Sequence, residues 1–208
     1  MSQRPPAAAT RRDRRSNAER AAETRARILA AVVESIAELG FQRTTAAEIA
    51  RRAGVTWGAV QHHFGGKDGI LIAVLEDSFG RFAQRFADID VEDMSLEKRV
   101  SLFVDRAWAH FASPHFRSTL EILLHYAAPD PEDVWPDALL AAWNRIWSSL
   151  FHDARLSRGR LLRLQRYTIA LLVGLASLQV FERAPSPHRN GELGLLKDTL
   201  TRELSRGR

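Results

Sequence analysis

The stretch TTAAEIARRAGVTWGAVQHHF, residues 44–64, places two short helices on either side of a tight turn. Thr45-x-x-Glu48 has capping-box spacing and opens the first helix, which runs through Ala53 with Ile49 and Ala50 facing in. Gly54 closes it and Val55 plugs the turn. Thr56 then offers a side-chain oxygen as the N-cap of a second helix that extends to about His63. Val60 and Phe64 are its inward anchors, and Gly65-Gly66 ends it. Two such helices form a helix-turn-helix when the second can enter a major groove, which demands small residues at its start. Gly58 and Ala59 meet that demand. Arg43, Thr45, Thr56 and Lys67 stand around the unit where phosphate-holding groups are needed.

Upstream, Ile28, Val32, Ile36 and Leu39 recur at three- and four-residue spacing, so the pattern from Asn17 predicts an amphipathic helix ending before Gly40. Residues 1–16 hold two prolines, an alanine run and five arginines, and read as a flexible basic arm, either tracking phosphates or serving as a soluble tail. Downstream, a long helix starts near Lys67-Asp68 with the stripe Ile70, Leu71, Val74, Leu75, Ser78, Phe79, Phe82 and Phe86, and the acidic stretch Asp88 to Asp93 breaks it. Further helices are expected at about 95–112, 115–127, 135–155, 159–183 and 191–205, with breaks at Pro114, at Pro129, Pro131 and Pro136, and at Pro185 and Pro187. No segment alternates with period two. The expected fold is all-α, with a helix-turn-helix domain at 17–66 and a larger helical domain at 67–208.

The chain's 208 residues, 45% hydrophobic and 26% charged, have ordinary globular values, which excludes disordered and collagen-like classes. Without cysteine there is no disulfide framework, thiol nucleophile or cysteine-ligated metal. The longest apolar run, Ile169 to Phe181, is interrupted by Gly174, Ser177 and Gln179, short of a membrane span. With no apolar stretch at the N-terminus, a cytoplasmic location is expected. The net charge of +5 is unevenly placed: residues 1–68 hold 12 Lys/Arg against 7 Asp/Glu, and the remainder is balanced at 18 each. That asymmetry fits a polyanion-facing module joined to a neutral one, or a basic face that is merely solvated.

Enzyme signatures are missing. His62-His63 and His110 with His115 do not make a zinc-binding HExxH, and Lys67 lacks the phosphate loop's first glycine and its Ser/Thr. There is no GxSxG elbow, and the acidic stretch has no central glycine for a calcium loop. No metal, cofactor or catalytic residue is expected.

The residues Gly40-Phe41, Thr44-Thr45, Ile49-Ala50, Ala53-Gly54-Val55-Thr56, Gly58, His63-Phe64, Lys67 and Leu71 resemble the N-terminal domain of TetR-type transcriptional regulators over roughly residues 25–75. The rest of the chain resembles that family only in length and helix order. The resemblance implies a homodimeric regulator of transcription, a repressor first of all, that reads a near-palindromic operator and is released by a small hydrophobic or aromatic effector. A regulator that activates, and a helical small-molecule-binding protein without sequence-specific DNA binding, are the alternatives. By the same resemblance Thr45, Thr56 and Lys67 hold phosphates, and Trp57, Gly58, Ala59, Gln61 and His62 lie at base edges, while His63 packs or touches the backbone. Gln61 departs from the family's usual tyrosine; a glutamine pairs bidentately with adenine or simply contacts a phosphate. Trp57 is either a DNA contact or a surface packing residue.

For the C-terminal part the resemblance implies dimerisation and effector binding. Ala170, Gly174 and Ser177 are small residues at roughly four-residue spacing that allow close helix approach. With Leu193, Leu196, Leu200 and Leu204 of the last helix they would form a two-fold four-helix interface, or else belong to an ordinary core. The aromatics Phe103, Trp108, Phe111, Phe116, Tyr126, Trp135, Trp143, Trp147 and Phe151 fill a core or line a cavity. Arg106, His110, Arg117 and His125 are the polar anchors such a cavity could use.

Overall fold

A computed structural model describes residues 11–126, 135–179, 181 and 189–206, with side chains described for 17–125, 141–179, 181 and 189–206. Tyr126 and Trp135 therefore lie outside the described side chains. Helices α1 (Arg11–Leu39), α2 (Ala46–Ala53), α3 (Trp57–Phe64), α4 (Lys67–Gln84), α5 (Leu96–Phe111), α6 (Pro114–Tyr126), α7 (Trp135–Leu150), α8 (Arg158–Leu178) and α9 (Arg189–Ser205) follow in order, with a 3₁₀ turn at Phe41–Arg43. The described residues contain no strand, as expected of an all-α chain. Some boundaries differ from the sequence reading. α1 begins at Arg11, so the last residues of the expected basic arm are helical. The break expected at Pro114 falls at residues 112–113, and Pro114 itself opens α6, its missing N–H costing nothing in a first turn. Residues 151–153, expected as helix, form a turn.

The chain divides into two compact units, the first ending at Val74 and the second beginning at Leu75, so the first two turns of α4 belong to the first unit rather than to the second as expected. In the first unit Ile28, Val32 and Ile36 of α1, Ile49 of α2, Val60 of α3 and Ile70, Leu71 and Val74 of α4 are all essentially inaccessible to solvent. Each large aliphatic side chain so buried stabilises the unit by about 1.5–3 kcal/mol. The Ser35 and Thr44 hydroxyls bond each other at 3.1 Å in that interior, tying α1 to the loop before α2.

In the second unit α5 supplies Leu96, Val100, Phe103, Val104, Ala107 and Phe111 to a core shared with α7, α8 and α9. Buried Arg99 joins α5 to the end of α7: its Nη1–H and Nη2–H donate to the Asp153 carboxylate at 2.8 and 2.7 Å, and Nη1–H also donates to the Leu150 carbonyl. Leu193, Leu196, Leu200 and Leu204 of α9 are all in this core, with α9 packed most extensively on α5. The expected dimer role of Leu196 and Leu200 is thus overturned: both are 0% exposed within one protomer. On α8, Leu164, Gln165, Thr168, Leu172 and Leu175 are buried, while Ala170 and Gly174 face solvent and Ser177 is half-buried. By length and composition α8 could cross a membrane, but its buried face, polar Gln165 and Thr168 included, is built into the helical core.

Candidate nucleic-acid interface and apolar cavity

The turn between α2 and α3 is built from local chemistry. The Glu48 N–H donates to Thr45 Oγ1 at 3.2 Å, capping α2. Gly54 sits in the left-handed region (φ 64°, ψ 37°), its N–H bonded to Arg51 and that of Val55 to Ala50, the Schellman pattern that only a residue without Cβ adopts freely. Thr56 Oγ1 then accepts the Ala59 N–H at 3.2 Å and starts α3. The expected capping box is only half made. The Glu48 carboxylate turns to the guanidinium groups of Arg51 and Arg52 instead of reaching back to the backbone.

Val60 anchors α3, at 0% exposed. Gly58, Gln61 and His62, spaced by three and four residues, form its exposed face; Trp57, Ala59, His63 and Phe64 are half-buried. No packing reason requires glycine at 58: a Cβ there would meet nothing nearer than Thr56 Oγ1 at 3.8 Å. Gly69 was not singled out from sequence, yet a Cβ on it would fall 1.8 Å from the Phe64 carbonyl oxygen.

Charge around the unit is partly committed. Arg52 bridges Glu38 of α1, at 2.6 Å, and Glu48 of α2, at 2.5 Å. Hydrogen bonds from Arg51 and Arg52 hold the Glu48 carboxyl down at about 2, so the cluster stays ionised at any working pH. Arg43 Nε–H donates to the Leu39 carbonyl at 2.7 Å from an exposed position. Lys67 Nζ lies 5.2 Å from the Phe41 ring centroid, and the Arg25 guanidinium 4.6 Å from that of Phe64. Arg25 is a cation beside the end of α3 that sequence reasoning missed, since no local pattern links positions so far apart.

The second unit encloses an apolar cavity of about 70 Å³ lined by Phe79, Phe82, His110, Phe111, Phe116, Leu120, Leu123, Ala142, Trp143, Ile169 and Val173. Of the expected ligand contacts, His110, Phe111 and Trp143 are here. Phe103 and Trp147 are not; they are 0% and 1% exposed in the core behind it. Arg106 instead pairs with Asp88 and the Arg85 carbonyl, Trp108 lies under the Arg189 guanidinium at 5.2 Å, and Arg117 and His125 are exposed. Phe116 of α6, one of the aromatics expected to fill a core or line a cavity, is here too, whereas Phe79 and Phe82 of α4, Leu120 and Leu123 of α6, and Ile169 and Val173 of α8 were not expected in the lining.

Burial, with the charges of Arg85 and His115 nearby, holds the His110 ring down at about 4. A depressed histidine contributes stability that is fully present above its unfolded value near 6.5 and is lost as pH falls from there toward 4. Denaturant unfolding should accordingly show the chain losing on the order of 3 kcal/mol more than His110→Phe between pH 7.5 and pH 4. Parallel pH curves for the two proteins would contradict this.

Residues 28–74 match the family model of bacterial regulatory proteins, tetR family. A 134-residue stretch is 31% identical to the HTH-type transcriptional regulator BetI of Burkholderia ambifaria, covering 64% of this chain and 58% of that protein. An 88-residue stretch is 30% identical to the fatty acid metabolism regulator protein of Bacillus subtilis, covering 42% of this chain and 45% of that one. The match thus spans about half the length of these relatives, 58% of the first and 45% of the second. Its fold matches that of a putative transcriptional regulator of the TetR family from Vibrio parahaemolyticus, with a TM-score of 0.59 and 21% identity over 85% of this chain and 97% of that one.

Proposed function

We propose, from the match of residues 28–74 to the tetR family of bacterial regulatory proteins, that this chain is a cytoplasmic, sequence-specific DNA-binding regulator of transcription, a repressor released from its operator by a small hydrophobic or aromatic effector. The observation that carries the reading is the exposed face of α3. Its start is capped by Thr56, its inner side is anchored by Val60, and Gly58 is a glycine that the fold itself does not need. A backbone without a side chain at that point can approach base edges in a major groove.

Gln61 and His62 then extend toward bases, with Trp57, Ala59 and His63 at the margins of the contact. The Thr45 and Thr56 hydroxyls accept backbone amides, which leaves each O–H free to donate to a phosphate oxygen. Arg43 and Lys67 add charge at the rim. Two copies are needed to read a near-palindromic operator, their α3 helices about 34–36 Å apart or a multiple of that. The surface for pairing is the outer face of α8, where Tyr167, Ala170, Gly174 and Leu178 recur at three- and four-residue spacing. Tyr167 and Leu178 are 47% and 50% exposed, and Phe181 and Leu195 are further apolar side chains open to solvent. An effector can release the operator only by binding the free and DNA-bound states with different affinity.

Selection from a pool of random duplexes should enrich an inverted repeat with half-site centres about 10–10.5 base pairs apart, or a multiple of that. With Gln61→Ala the same selection should lose preference at one base pair per half-site, a discrimination of about 1–3 kcal/mol. Uniform weakening by that variant would make Gln61 a phosphate contact. No enrichment with the parent chain would sink the reading and leave a small-molecule-binding protein.

A further inference from the structure

We propose that the second unit's cavity takes an uncharged, single-ring aromatic compound bearing a hydrogen-bond acceptor, and that Trp143 Nε1–H donates to that acceptor. The effector role of such a compound rests on the regulator reading above; its binding does not.

Charge is the first constraint. Among the described lining residues there is no Lys, Arg, Asp or Glu. An ammonium or carboxylate group entering this cavity would lose its hydration without gaining a counter-charge, and burying an unpaired ion is far costlier than burying a neutral polar group.

The second constraint is an orphaned donor. Trp143 lines the cavity and is only 3% exposed, and its Nε1–H is buried without a hydrogen-bond partner among the described residues. Buried indole N–H groups ordinarily find an acceptor, so one left over calls for an explanation. The ring cannot readily turn to find a partner in the protein: it stacks on Phe82 at 5.6 Å and 17° and meets Phe103 edge-on at 5.6 Å. A ligand carbonyl or ether oxygen would satisfy the donor. Trp147 Nε1–H is also unpartnered among the described residues, but Trp147 is absent from the lining and serves as an internal control.

Shape supplies the third. Phe82, Phe111, Phe116 and Trp143 present ring faces and edges, which favour a flat aromatic guest in offset or edge-to-face contact. At about 70 Å³ the cavity is smaller than the apolar cavity of roughly 150 Å³ known to hold benzene. One ring is therefore the limit, and its entry must push lining side chains apart. Two of those, Phe79 and Phe82, sit on α4, the helix that follows α3 in the chain.

The test uses the full-length protein with ¹⁵N-labelled tryptophan, without DNA, and four one-ring probes: acetophenone, isopropylbenzene, benzoate and phenyltrimethylammonium. Acetophenone should bind saturably and move the Trp143 Nε1–H resonance downfield, with a smaller change at Trp147. Its near-isostere isopropylbenzene, which lacks the acceptor, should bind about five- to tenfold more weakly, and the two ions should not saturate. Trp143→Phe should bring the acetophenone-to-isopropylbenzene ratio close to one, a ratio that any general loosening of the cavity leaves unchanged. Tighter binding of either ion, failure of acetophenone to saturate, or an unchanged ratio in Trp143→Phe would overturn the assignment. Since no DNA is involved, failure here leaves the regulator reading standing, and failure of operator binding leaves this assignment standing.

Discussion

Gly58→Glu is expected to abolish specific DNA binding, by a hundredfold or more, in a protein that melts at the same temperature as the parent or higher. Position 58 is the second residue of α3 and is exposed, with room for a side chain. Glycine inside a helix costs roughly 0.5–1 kcal/mol relative to a residue with a Cβ. A carboxylate in the first turn also interacts favourably with the helix dipole, by about 0.3–1 kcal/mol. Folding therefore has nothing to lose from the change. In a major groove the same side chain would hold the backbone away from the base edges and set a negative charge among phosphates. Thermal melting and duplex binding measured on the same preparation separate the two effects. Parent-like binding by Gly58→Glu would show that α3 does not approach DNA through this face, and a lowered melting temperature would show that the fold needs the glycine after all.

The second large effect belongs to the core. Phe103 is 0% exposed and makes edge-to-face contacts with Trp143, Trp147 and Phe151 at centroid distances of 5.6, 5.2 and 5.7 Å. Truncation to alanine removes the ring's transfer energy and leaves a void that three large neighbours cannot collapse into, so Phe103→Ala should cost about 3–5 kcal/mol. Domains are typically stable by only about 5–15 kcal/mol. Urea unfolding should show a midpoint lowered accordingly with little change of slope. A loss below about 1 kcal/mol would mean that Phe103 faces removable space, as a ligand contact would, rather than packed core.

What could be read without coordinates follows the range of the physics. Thr45, Gly54, Thr56 and Gly65 act on backbone groups a few residues away, so the helix-turn-helix and its caps were legible from spacing alone. Val60 as an anchor followed from the same local pattern. Periodicity, by contrast, says that a helix has an apolar face and not what covers it. The leucine stripe of α9 could serve a second copy or the chain's own core, and Leu196 and Leu200 went to the core against α5. The partner of Glu48 was misjudged for a similar reason: two arginines on the same helix compete for the carboxylate and outweigh one backbone N–H. The cavity was least legible. Its walls come from five helices, and whether a given aromatic is wall or core depends on packing that no local spacing encodes. Phe111 and Trp143 became wall while Phe103 and Trp147 became core.

The most direct test of a sequence-reading protein is fluorescence-anisotropy titration of DNA from just upstream of its own coding sequence beside a scrambled duplex of equal composition, across a series of salt concentrations. Phosphate contacts alone bind both duplexes and weaken together as salt rises. A regulator of this kind should prefer its own site by roughly 10³-fold or more, and the preference should persist as overall affinity falls. Equal binding to the two duplexes, equally steep in salt, repeated with fragments drawn from the rest of the genome, would contradict sequence-specific regulation.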